Sequence, residues 1–129
     1  MDFEKIVIPV APVTKKNSSQ IITVGGRPRL IPSKKYLAYE KAAKRYLKPL
    51  GIDYPVNVKC TFYMPTRRRV DLTNLLSAID DVLVTHGVLT DDNRDIVATH
   101  NGSMVLYCKE MPRTEIEITK LDGYEKWSK

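Results

Sequence analysis

The chain has 129 residues, 43% of them hydrophobic and 28% charged, which is enough to bury a core and too apolar for a disordered tail. No apolar run reaches membrane-spanning length, and the acidic opening MDFEKIVIPV lacks the long apolar stretch of a secretory signal, so a single cytoplasmic domain over residues 1–129 is expected. The net charge of +6 is uneven: residues 1–50 carry 11 Lys+Arg against 3 Asp+Glu, residues 51–129 carry 10 against 12, a division suited to a polyanion plus a metal.

Residues 3–10 read as a strand that frays at Pro9, and residues 11–19, with Lys15 and Lys16, read as a loop. Ile21 to Val24, Gly25-Gly26 and Pro28 to Ile31 form a hairpin signal. Arg27 and Arg29 on it suit either a phosphate backbone or a solvated tip. Ser33 is an N-cap candidate for a helix flanked by Lys34 and Lys35. The apolar stripe Tyr36, Tyr39, Ala43, Tyr46, Leu47, Leu50 carries that helix to stop signals at Pro49 and Gly51, with the tyrosines facing the core.

Val56 to Met64 alternates as a half-buried strand, with Val56, Val58, Cys60 and Phe62 inward. Cys60 and Cys108 are far apart in strand-like segments and are expected as free thiols, not zinc ligands. The second helix covers residues 72–86, since Leu72, Leu75, Leu76, Ile79, Val82 and Leu83 follow helical spacing. Gly87 suits an αL cap, and His86 a cap contact in the last turn. Strand-like segments follow at 96–99, 104–108 and 114–121, with a turn at Asn101-Gly102 and Ile116 and Ile118 inward. The tail is expected to be loose or to dock through Trp127. The order of elements predicts an α+β domain, two helices on one face of a mostly antiparallel or mixed sheet. Strand order does not follow from pattern.

The chemistry concentrates between Arg67 and Asp95. Arg67, Arg68 and Arg69 run into Asp71, and residues 71–95 hold six aspartates. Magnesium takes oxygen ligands and keeps several waters, so one or two carboxylates plus a substrate phosphate hold it. Asp71 and Asp81 are ten residues apart, roughly 15 Å along a helix, too far to share an ion. Asp91 and Asp92 follow a turn and can fold back toward Asp71, whereas Asp80 and Asp81 read as a solvated face or an outer layer. Plainer roles compete, because Asp71 is a natural N-cap and Asp91-Asp92-Asn93 is ordinary turn composition.

The run Asp71-Leu72-Thr73-Asn74-Leu75, then Ala78, Asp81 and Leu83, then Gly87 and Asp91-Asp92, resembles the RusA family of Holliday junction resolvases. The opening strand with its proline-lysine loop and the closing PRTEIEI segment resemble it more weakly. The resemblance implies a compact two-layer RusA-like fold and a small, often prophage-borne, homodimeric endonuclease that uses Mg²⁺, with Mn²⁺ as the alternative ion, to cut branched DNA in recombination and repair. It implies Asp71, Asp92 and Asp91 as metal ligands and catalytic residues, with Asn74 and Asp81 supporting them. Thr73 stands where the family has a second aspartate, and Ser77 where it has a catalytic lysine. A Thr hydroxyl can ligate Mg²⁺ but adds no charge, so Thr73 is expected as a weak ligand. Arg67 to Arg69 are expected to stand in for the missing lysine. With Lys15, Lys16, Arg27, Arg29, Lys34 and Lys35, they are expected to hold DNA phosphates. Two rival expectations are a weakened relative that binds branched DNA without cutting it and an interaction protein whose acidic turn only caps a helix. Flap or duplex specificity stays open.

Overall fold

A computed structural model describes residues 3–15 and 19–123. Lys16 and Trp127 lie outside the described residues. The order is β1 (Phe3–Ile8), β2 (Ser19–Val24), β3 (Arg27–Pro32), α1 (Lys34–Ala43), β4 (Val56–Met64), α2 (Leu72–Thr85), β5 (Val97–Thr99), β6 (Met104–Tyr107) and β7 (Arg113–Lys120). This is the expected α+β arrangement, with a mixed sheet and a separate hairpin.

The sheet is built around β4 and β7. β7 pairs antiparallel with β1 on one side and with β4 on the other, with Cys60 opposite Ile116 and Val58 opposite Ile118. The far edge of β4 takes β5 and then β6, both parallel. Alternation decides which face is covered: Val56, Val58, Cys60 and Phe62 of β4 and Ile116 and Ile118 of β7 are all buried. Leu75, Leu76, Ile79, Val82 and Leu83 of α2 and Tyr36 and Tyr39 of α1 join the same core. Each such side chain contributes about 1.5–3 kcal/mol of burial. The Tyr39 hydroxyl bonds to the buried Thr114 hydroxyl of β7 at 3.3 Å, which ties α1 to the sheet and satisfies both groups.

Helix α1 starts as expected, with Ser33 Oγ accepting from the Tyr36 N–H at 3.2 Å, but ends earlier. Lys44–Tyr46 tighten into a 3₁₀ turn and Leu47 is extended. Pro49 is the cause: it has no N–H for the Arg45 carbonyl, and it drives Lys48 out of the helical region. Of the expected stripe, Tyr36, Tyr39, Ala43 and Leu47 are buried, whereas Tyr46 and Leu50 are exposed. The His86 ring donates from Nε2 to the Glu40 carbonyl at 2.8 Å, so it contacts the end of α1 and not its own helix. Both cysteines are free. Among the described residues, no helix is long and apolar enough to cross a membrane.

Candidate functional site

Two features of the fold position the acidic residues. The first is the entry to α2. Asp71 is the N-cap: its Oδ1 accepts from the Thr73 N–H at 3.2 Å and from the Thr73 hydroxyl at 2.8 Å. The carboxylate is exposed, so capping leaves one oxygen edge open to solvent. Thr73 therefore fixes the direction of the Asp71 carboxylate. Asn74 is half-buried on the next turn and Ser77 is exposed.

The second feature is the return from α2. Gly87 adopts φ +75°, and an added Cβ would meet Pro49 Cβ at 3.2 Å, so the chain turns here on glycine. Val88 and Leu89 then plug into the core. The strap Gly51-Ile52 pins them, with Gly51 N–H to the Gly87 carbonyl, Ile52 N–H to the Val88 carbonyl and Thr90 N–H to the Ile52 carbonyl, at 2.9, 3.0 and 3.0 Å. The chain thus runs back beside α2 and delivers Asp91 and Asp92. Asp91 uses its oxygens inside this loop, accepting from the Asp92 N–H at 2.7 Å and from Asn93 Nδ2 at 3.3 Å. Asp92 faces other charges. Its carboxyl is held above the usual range by burial and then by Asp81, Asp80 and Asp91. Asp81 and Asp80 belong to the middle of α2, so within one chain Asp92 feels that part of the helix.

Asp80 is not on a solvated face. It is 8% exposed, its Oδ2 meets His100 Nε2 at 2.9 Å, and its Oδ1 is buried without a hydrogen-bond partner. The helical spacing carried this information, since Asp80 is four residues after Leu76 and three before Leu83, inside the apolar arc. His100 had no such signal and comes from a break in the sheet. Between the β5 and β6 pairings, side chains take over the ladder. His100 Nδ1 donates to the Val58 carbonyl at 2.8 Å, and Ser103 Oγ accepts from the Cys60 N–H at 3.0 Å. Irregularities of this kind re-aim side chains, and here the ring is turned onto Asp80. Nδ1 faces a carbonyl and Nε2 a carboxylate, so the protonated ring is the form that satisfies both acceptors. Burial alone would lower its pKa, but the bond and charge of Asp80, with the Val58 carbonyl, hold it above 6.5.

One lysine pairs directly with these carboxylates, and other basic groups lie elsewhere on the domain. Lys15 Nζ reaches Asp81 Oδ2 at 3.0 Å. A cleft of about 300 Å³ opens between the loop after β1, the end of β4 and the start of α2, with Lys35, Arg68 and Arg69 on its wall. Arg67 is turned the other way and stacks on the Tyr107 ring at 4.2 Å. Lys34, Arg27 and Arg29 are exposed, the last two on the β2–β3 hairpin, which forms its own two-stranded sheet.

The donor set suits a hard divalent cation. It is made of carboxylate and hydroxyl oxygens, and a positive ion beside Asp92 would offset the burial and the neighbouring carboxylates that raise it. Among the described residues, no three His, Cys, Asp or Glu converge into a ready-made cage. A cation held here would need oxygens from water and substrate phosphate to complete its shell, as magnesium commonly does.

A family model described as endodeoxyribonuclease RusA matches residues 9–119. The crossover junction endodeoxyribonuclease RusA of Aquifex aeolicus (strain VF5) is 40% identical over 43 residues, 33% of this chain and 34% of that protein. The match thus spans about a third of that relative's length. The family match takes in four of the five strands of the main sheet, both helices and every acidic residue of the candidate site, and on that ground the chain belongs to the RusA family of endodeoxyribonucleases.

Proposed function

We infer that this protein is a homodimeric, divalent-metal-dependent endonuclease that resolves four-way or otherwise branched DNA in the cytoplasm, as one domain. The observation that carries the reading is the return loop. A buried plug of Val88 and Leu89 carries the chain into Asp91 and Asp92, and Asp81, Asp80 and Asp91 raise the Asp92 carboxyl beyond what its burial does.

Asp92 and Asp71 are the ligands in this account, with Asp91 third and Thr73 orienting Asp71 through its hydroxyl. A bound Mg²⁺ or Mn²⁺ supplies Lewis acidity and a water of lowered pKa. The protein's residues do the rest. Lys35, Arg68 and Arg69 neutralise phosphates and fix register, and Arg27, Arg29, Lys34 and Lys16 extend that contact. Asn74 and Asp81 support the acidic face of α2. A junction has two strands to cut symmetrically, which a two-fold dimer provides.

A second reading is favoured by Thr73, which contributes no charge where it bonds Asp71. In that reading the protein holds branched DNA without cutting it. Incubation of a labelled four-way junction and a matched linear duplex with Mg²⁺ or EDTA separates the two. The account predicts junction-selective nicking that EDTA abolishes and that Asp71→Asn reduces by about 100-fold or more. Mg²⁺-independent binding without nicks supports the second reading, and equal nicking by Asp71→Asn removes the site.

A further inference from the structure

The loop after β1 brings one ammonium group into the acidic focus. Lys15 Nζ lies 3.0 Å from Asp81 Oδ2 and 5.7 Å from the centre of the Tyr36 ring. Tyr36 is 2% exposed and fixed in the core, whereas the Lys15 side chain is 43% exposed. The ammonium is therefore gripped from one side and open on the other. Asp81 is also one of the charges that Asp92 feels, so Lys15 pairs with a carboxylate that belongs to the acidic focus. An exposed ion pair contributes little to stability. A cation held by a carboxylate and an aromatic face within the acidic focus, and open to solvent on its other side, has another use.

We propose that Lys15 is a catalytic residue of the phosphodiester cleavage inferred above, on which this step rests. Its ammonium donates a hydrogen bond to a non-bridging oxygen of the scissile phosphate beside Asp92, and Asp81 and the Tyr36 ring aim it. In the reaction a water oxygen bonds to phosphorus and the bond from phosphorus to the leaving sugar oxygen breaks. The water releases a proton to solvent and the leaving oxygen takes one from solvent. Lys15 keeps its protons throughout. It offsets the charge that grows on the phosphoryl oxygens in the transition state, so it acts on the rate of the bound complex more than on binding. A lysine that only held a neighbouring phosphate would do the reverse.

The test uses full-length protein with Cys108→Ser, which leaves Cys60 buried. Lys15→Ala, Lys15→Cys, Asp81→Asn and the remote control Lys109→Ala are compared. Single-turnover nicking of a four-way junction in Mg²⁺ at saturating protein gives the rate, and junction affinity in EDTA gives binding. Lys15→Ala is expected to lose about 100-fold in rate, as removal of one transition-state donor does, with affinity within about threefold. Asp81→Asn is expected to lose less. Aminoethylation of Lys15→Cys, which rebuilds an ammonium at nearly the same reach, is expected to restore most of the rate. Unchanged nicking by Lys15→Ala, a loss confined to affinity, or no recovery on aminoethylation overturns the proposal while leaving the nuclease standing. Absence of nicking by the parent protein overturns both.

Discussion

Asp92 is held at an electrostatic cost, and the sign of that cost is testable. Its carboxyl pKa is raised in the folded protein, so the penalty is absent at pH below about 3.8, grows as pH climbs through the raised value, and is complete above it. Asp92→Asn should therefore raise the metal-free melting temperature at neutral pH, by roughly 1–3 °C. Mg²⁺ should raise the melting temperature of the parent protein and have less effect on the variant. His100 behaves in the opposite sense. Its pKa is raised, so its contribution is full below about 6.5 and fades as pH rises through the folded value. His100→Ala leaves Asp80 buried with neither oxygen bonded, which should cost about 2–3 kcal/mol in urea unfolding at pH 6. The variant should also lose the alkaline decline of the parent. Asp80 was legible in the sequence by helical angle, but its charge suggested solvent. His100 was not legible, because its ring is aimed by a gap in a ladder between strands distant in sequence.

At the scale of elements, α2 and its return loop carry the proposed site. Asp71 both caps the helix and offers a carboxylate, and two substitutions separate these roles. Asn caps about as well as Asp, so Asp71→Asn should leave stability within about 0.5 kcal/mol while removing the charge, whereas Asp71→Ala should cost about 1 kcal/mol as well. Gly87→Ala combines a strained φ of +75° with the approach of Pro49, so it should destabilise by about 1–2 kcal/mol and displace Asp92. Equilibrium unfolding measures both. The 3.6-residue period of Leu72 to Leu83 and the glycine after it made this helix readable in advance. The end of α1 was misjudged because apolar spacing ran on through residues whose backbone Pro49 forbids from helix. Only the coordinates reveal that Gly51-Ile52 straps the return loop, since the contact is long-range and made by backbone.

For the whole molecule, the alternation of β4 and β7 identified the buried face, but strand order was beyond pattern. Nothing local says that β4 takes β7 antiparallel and β5 and β6 parallel. The uneven charge predicts strongly salt-dependent DNA binding. Replacing Arg68 and Arg69 with alanine should reduce the slope of log affinity against log salt by about 1 per arginine, with similar loss on any DNA sequence. The same change at Arg67 should matter less, since that guanidinium is stacked on Tyr107.

The central claim is that one divalent ion joins Asp92 to Asp71. Anomalous scattering from crystals grown with Mn²⁺ tests it directly. The account predicts a peak at about 2.1 Å from carboxylate oxygens of Asp92 and of Asp71 from either subunit. A peak held by Asp92 with Asp81 and Asp80, leaving Asp71 only as a helix cap, or no peak at all, would contradict it.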